Sequence, residues 1–152
     1  MSLQRDGTMK KKPEGFSLIE LMVALAVLAL LVSIALPSYR NFMMQSNRTA
    51  AKTALQDLAS REESYFATNN NYASQLSALG YASGTVYVPG NGNNLYALSI
   101  ANATANTFIL NAAPQGSQAQ DSCQTYQLDN LGNQSNIANN ASGTTLSVSG
   151  CW

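Results

Sequence analysis

Residues 16–36, FSLIELMVALAVLALLVSIAL, form a 21-residue apolar run whose only polar side chains are Ser17, Glu20 and Ser33. As an α-helix this run is about 31 Å long, enough to cross the hydrocarbon core of a bilayer. Beyond Pro37 the pattern becomes amphipathic. From Tyr39 to about Thr68, Ala51, Ala54, Leu55, Leu58, Glu62 and Tyr65 fall on one side of a helix, and Gln45, Arg48, Lys52, Gln56 and Glu63 on another. The first stripe predicts the face a sheet covers, with Glu62 its only charge. Pro37 lacks an N–H and crowds the preceding turn, so a bend is expected there. One helix over residues 17–68 would span roughly 78 Å, more than the remaining chain, about 80 residues, can cover. Its first half must therefore be buried by lipid or by other chains.

Asn69-Asn70-Asn71 ends the helical pattern, because short polar side chains compete for backbone hydrogen bonds. Tyr72 to Gly80 reads as a loop with a short helical turn. Strand-like segments follow at Thr85–Val88, Leu95–Ala101, Thr107–Ala113, Gln124–Asp129 and Thr144–Ser149. Tyr96, Leu98 and Ile100 alternate with smaller or polar neighbours, as do Phe108, Leu110 and Ala112. Turn chemistry is supplied at 90–94 (GNGNN) and 129–133 (DNLGN). The fold class predicted is α+β: a long N-terminal helix packed against a small antiparallel meander.

Charge sharpens the picture of the first run. Arg5, Lys10, Lys11 and Lys12 precede it and no basic residue follows until Arg40, so the positive-inside bias places residues 1–15 in the cytoplasm and the region after Pro37 outside. Beyond residue 15, Arg40, Arg48, Lys52 and Arg61 face Glu20, Asp57, Glu62, Glu63, Asp121 and Asp129. That balance is slightly acidic and has no basic block, so bulk charge predicts no nucleic-acid footprint. The 152-residue chain contains no histidine, which removes the commonest general base and metal ligand. Neither a nucleophile–base pair nor a phosphate-binding glycine loop is present, and Glu62 and Glu63 point to different sides of a helix. An enzyme is thus not expected, nor a cofactor, nor a metal site. Cys123 and Cys151 lie in an exported region where a disulfide is the expected state. Closing that 29-residue loop would stabilise the fold by about 3.6 kcal/mol in the chain-entropy picture.

An ordinary signal peptide or passive anchor is the plain alternative for the apolar run. The run exceeds the usual apolar core of about 7–15 residues, and no small-x-small cleavage site follows it. Glu20 also suits a passive anchor poorly, since a charge deep in a span costs roughly 2.5–3.5 kcal/mol on insertion scales. The stretch Lys10-Lys11-Lys12-Pro13-Glu14-Gly15-Phe16-Ser17-Leu18-Ile19-Glu20 resembles the class III signal of type IV prepilins and type II secretion pseudopilins. The resemblance implies cleavage by a membrane-embedded prepilin peptidase between Gly15 and Phe16, and N-methylation of Phe16. It also gives Glu20 the role of neutralising a neighbouring subunit's N-terminal ammonium during assembly. A carboxylate and an ammonium held in lipid each need a partner, which favours the correct stagger between subunits. Family pilins often carry a proline at the place of Pro37 and a glycine eight residues earlier. Here Ala29 stands at the earlier position, favouring a locally continuous helix. Met9 offers a second possible start, with a leader of seven residues.

The region closed by Cys123 and Cys151 resembles the D-region of type IVa pilins. Ala113-Pro114-Gln115-Gly116, Asp121-Ser122-Cys123 and Leu128-Asp129-Asn130-Leu131-Gly132 are closest to the PilE-type minor pilins. The implied organisation is a leader at 1–15, a transmembrane and assembly segment at 16–37, and a globular domain at 38–152. The enclosed loop has little to bury apart from Tyr126, Leu128, Leu131, Ile137, Leu146 and Val148, and reads as a solvent-facing edge. The implied function is a structural subunit of a type IV pilus, a minor pilin contributing to assembly, twitching motility and adhesion. A major pilin and a type II secretion pseudopilin are the alternatives. A different class is an adhesin or DNA-binding module displayed on the filament. Implied partners are other pilin subunits, the prepilin peptidase and the inner-membrane assembly machinery. The implied location is the inner membrane, with a periplasmic globular domain, and then the extracellular pilus.

Overall fold

The computed structural model describes residues 15–82, 84–90, 92–140 and 142–152. The chain divides into two units, Met1–Tyr39 and Arg40–Trp152. Helix α1 (Leu18–Asn69) supplies the described helical residues of the first unit and opens the second. It remains helical on both sides of Pro37, so the proline does not end it. Glu20 lies in its first turn, where a carboxylate complements the unpaired N–H groups of a helix start. At the other end Asn70 takes the left-handed conformation (φ 55°) and donates its N–H to the Phe66 carbonyl at 2.8 Å. Asparagine tolerates that conformation better than most residues, which explains why the predicted stop falls where it does.

The second unit joins the rest of α1 to an antiparallel sheet. Its strands are β1 (Val86–Val88), β2 (Tyr96–Ala103), β3 (Phe108–Pro114), β4 (Thr125–Asp129), β5 (Gln134–Ile137) and β6 (Thr145–Leu146), in the order β1-β2-β3-β4-β5-β6. Every neighbour in that meander pairs antiparallel. A short 3-10 turn, Leu76–Leu79, matches the helical turn predicted before the sheet, and a second, Gly116–Gln120, links β3 to β4. Register puts Leu98 opposite Ala112, Ala112 opposite Tyr126, and Leu110 opposite Leu128. Side chains alternate across a strand, so this pairing gathers the apolar set on one face. That face packs with Ala51, Leu55 and Leu58 of α1 in one cluster that includes Tyr72, Tyr96, Phe108 and Tyr126. The rings of Phe66, Tyr72 and Phe108 close its far end, stacked and then edge-on at 4.8 and 4.9 Å.

Two expectations are adjusted. β5 has no counterpart among the predicted strands, and β6 is only the Thr145–Leu146 part of the segment read as 144–149. Of the six side chains expected to be buried in the enclosed loop, Leu131 is 79% exposed at the β4–β5 turn and Val148 37% exposed.

Candidate functional site

Two places carry the residues that sequence reasoning singled out. The first is the start of α1. Gly15 and Phe16 precede the helix and are exposed, as is Glu20. Every residue from 15 to 43 is exposed, including Leu18, Ile19, Leu21, Met22, Leu25, Leu30 and Ile34. This segment is long and apolar enough to cross a membrane. An apolar surface of that size is unstable in water, and only lipid or other chains of similar character can cover it. Within its apolar run, residues 16–36, Glu20 is the one ionisable side chain. Residues 10–14, the rest of the predicted peptidase signal, lie outside the described residues.

The second place is the edge closed by the disulfide. Cys123 and Cys151 are bonded, with Cα atoms 5.6 Å apart, and both are buried. What holds Cys123 in place is a polar latch whose pattern was not visible in the sequence. Arg48, on α1, grips Asp121 in a two-pronged ion pair, Nη2 to Oδ1 at 2.6 Å and Nε to Oδ2 at 2.8 Å. The Asp121 carboxylate also accepts from Gln118 Nε2 at 2.7 Å, the Cys123 N–H at 3.0 Å and the Tyr96 hydroxyl at 3.3 Å. Gln118 in turn accepts from Asn47 Nδ2 at 3.1 Å and donates to the Met44 carbonyl. Burial pushes the Asp121 carboxyl up, but Arg48, the Cys123 N–H and Gln118 together hold it below the usual carboxylate range. Burial, reinforced by the Asp121 carboxylate, pushes the Tyr126 phenol up to about 12. On the far side of the disulfide, Asn136 Nδ2 donates to the Cys123 carbonyl at 2.8 Å, and Trp152 Nε1 donates to the Ser135 carbonyl at 2.9 Å.

Two further charged side chains of α1, Glu62 and Arg61, differ in burial. Glu62 is fully buried; its Oε2 accepts the Ala73 N–H at 2.8 Å and its Oε1 has no partner among the described residues. Desolvation raises its pKa, the Ala73 N–H opposes this, and Glu63 adds to the rise. Arg61 pairs with Asp57 and donates to the Leu79 carbonyl. Arg48 and Arg61 are therefore both engaged in ion pairs, and no lysine, arginine or histidine follows residue 61. The meander and its loops carry no positive side chain. Among the described residues no group of histidine, cysteine, aspartate or glutamate could hold a metal ion.

A membrane-length apolar helical segment with one early carboxylate, and a domain of helix plus disulfide-closed antiparallel meander, define a pilin-class filament subunit. Known proteins agree. Residues 37–127 match the family described as "Type IV minor pilin ComP, DNA uptake sequence receptor", and residues 10–36 match the prokaryotic N-terminal methylation motif. The chain belongs to the type IV pilin family. It is 32% identical over 99 residues to the type IV major pilin PilA of Myxococcus xanthus, covering 65% of this chain and 42% of that protein's length. It is 30% identical over 106 residues to the type IV wide pilus major component PilA4 of Thermus thermophilus, covering 70% and 77%. To the type IV major fimbrial protein FimA of Dichelobacter nodosus it is 32% identical over 121 residues, covering 69% and 78%.

Proposed function

We propose that this chain is inserted as a membrane precursor, cut between Gly15 and Phe16 by a prepilin peptidase, N-methylated at Phe16 and built into a type IV pilus as a minor subunit. The observation that carries the proposal is the exposed helical surface of residues 15–43, whose apolar part holds a single carboxylate. In lipid before assembly, and among other pilin helices after it, that surface is covered. Glu20 then meets the ammonium of a neighbouring subunit, and each charge supplies the partner the other lacks. The role is structural rather than enzymatic. The minor-pilin assignment is supported by the matched family, whereas the three relatives above are major pilins by name. Abundance in sheared filaments separates the two.

Replacing Glu20 by Gln tests the proposal. Membrane insertion and cleavage at Gly15 are expected to proceed, while incorporation into filaments falls. Normal incorporation of the variant would overturn the role given to Glu20.

A second reading, binding of DNA by the displayed domain, is favoured by the matched family's description as a DNA uptake sequence receptor. Charge weighs against it. Affinity for DNA rests largely on phosphate neutralisation by Lys and Arg. Among the described residues, only Arg40 and Lys52 of the globular unit's basic side chains, both on α1, stand outside ion pairs, and Lys52 lies over the Tyr126 ring at 5.9 Å. Electrophoretic mobility shifts at low and moderate salt distinguish the readings, because a DNA receptor binds with a steep salt dependence.

A further inference from the structure

Just past the apolar run, α1 carries a cation that the fold does not use. Arg40 is exposed and forms no ion pair among the described residues, and no carboxylate lies on α1 between Glu20 and Asp57. Residues three or four apart share a helix face, so Arg40, Met44, Asn47 and Ala51 form one line along α1. Ala51 is buried under the sheet. Met44 and Asn47 hold the Gly116–Gln120 turn through the buried Gln118, whose Nε2 donates to the Met44 carbonyl at 3.3 Å and whose Oε1 accepts from Asn47 Nδ2 at 3.1 Å. Arg40 stands one helical turn, about 6 Å, before that anchor. The turn exposes Gly116, Ser117, Ala119 and Gln120, none of them charged. The carboxylate that follows it, Asp121, is buried and held by Arg48. On other sides of α1, Phe42 is 67% exposed and Met43 39%. This end of the globular unit thus presents one unpaired cation, two apolar side chains and a short uncharged turn.

Spacing and charge identify what meets that surface. The run 16–36 matches the hydrocarbon thickness of a bilayer, about 30 Å, and a headgroup layer of about 5–7 Å lies on each side. Arg40 follows Leu36 on α1 by about 6 Å, which falls within that layer. Helix side chains lean toward the N-terminus, so Phe42 and Met43 reach back to the boundary between headgroups and tails. Aromatic side chains are favoured at that level, and a basic residue gains from anionic lipid there. A soluble anion would find no second cation to hold it, because Arg48 is bound to Asp121 and Lys52 lies over the Tyr126 ring. We infer that this surface docks on anionic phospholipid headgroups, with Arg40 on a phosphodiester group, Phe42 and Met43 at the acyl boundary, and the 116–120 turn resting on the headgroup layer. The inference rests on the membrane-precursor reading above and adds the contact that steadies the globular unit on the bilayer before assembly.

The test uses the full chain in nanodiscs of phosphatidylcholine and phosphatidylglycerol, with a gadolinium chelate on some of the headgroups. Nuclear magnetic resonance then reads amide relaxation along the chain. The expected result is enhanced relaxation at residues 116–120 that falls when salt is raised or phosphatidylglycerol is left out. Arg40→Gln should lower the ratio of docked to free domain by about fivefold. Ser117→Glu, which sets a carboxylate against the phosphates, should lower it by a similar factor. Both residues are exposed, so the amide shifts of β2 and β3 should stay in place in each variant. No enhancement at 116–120 in the parent chain overturns the inference. So does an enhancement indifferent to both substitutions, or one unchanged without phosphatidylglycerol. The apolar run is untouched in both variants, so these failures leave the membrane-precursor reading standing. Loss of the parent chain from the discs would overturn that reading and the inference together.

Discussion

Replacing Arg48 by Ala removes both arms of its grip on Asp121 and leaves that carboxylate buried. The Asp121 side chain is fully inaccessible and that of Arg48 is 18% exposed. Breaking a buried pair from one side typically costs about 3–5 kcal/mol, because the remaining charge is stranded in a poor solvent. Three donors stay with Asp121, namely Gln118 Nε2, the Cys123 N–H and the Tyr96 hydroxyl. They and the partial exposure of Arg48 place the expected loss at the low end, about 3 kcal/mol. A double-mutant cycle with Asp121→Asn should return a coupling of about 2 kcal/mol, since the two side chains touch and share no other charge partner. The assay is urea unfolding of the micelle-held chain followed by Trp152 emission, which reports on the same sheet through Tyr126. The pH profile adds an independent check. Asp121 has a folded-state pKa below its unfolded value, so its contribution is present above the unfolded pKa and is lost as pH falls through the folded one. Arg48→Ala should flatten that acid limb. A loss under about 0.5 kcal/mol, or an acid limb unchanged in the variant, would refute the latch as an energetic element.

The remaining predictions concern the interface and the edge. Glu62 behaves oppositely to Asp121: with its folded pKa raised, its stability is fully present below the unfolded pKa and is lost as pH rises through the folded one. Glu62→Gln keeps an acceptor for the Ala73 N–H without the buried charge, so unfolding midpoints should rise at neutral pH and converge with the parent in acid. Cys123→Ser with Cys151→Ser should lower stability by about 2–5 kcal/mol and loosen the edge strands first, seen as faster amide exchange in β5 and β6 than in β2 and β3. Gly15→Val should leave uncut precursor in the membrane fraction, detected as a chain retaining its leader.

Much of this architecture is carried by local pattern. The apolar run, the stripe through Ala51, Leu55 and Leu58, and the alternation in β2 and β3 each announce their element, and the short loops leave a meander as the simplest connection. Glu62 was also visible as a charge on the apolar side, and it is buried there. β5 was not legible, because Gln-Ser-Asn-Ile has one apolar side chain and little intrinsic strand preference. It forms by pairing with β4, with Asn136 opposite Tyr126 and Ser135 opposite Gln127. The latch was hidden for a different reason: Arg48 and Asp121 are 73 positions apart, and no local period joins them. Leu131 shows the reverse: it is one of the few apolar side chains the enclosed loop has to bury, yet it stands exposed at a turn tip. The N-terminal signal is legible from residue chemistry, while the processing and assembly proposed for it act through partners outside this chain.

The most direct test of the central claim is intact-mass spectrometry of sheared filaments from cells expressing this chain. The account predicts a species that begins at Phe16, with a methyl group on its amino terminus and two hydrogens missing for the disulfide, present below a more abundant pilin. The chain's absence from filaments, or its presence there with the leader intact, would contradict the account.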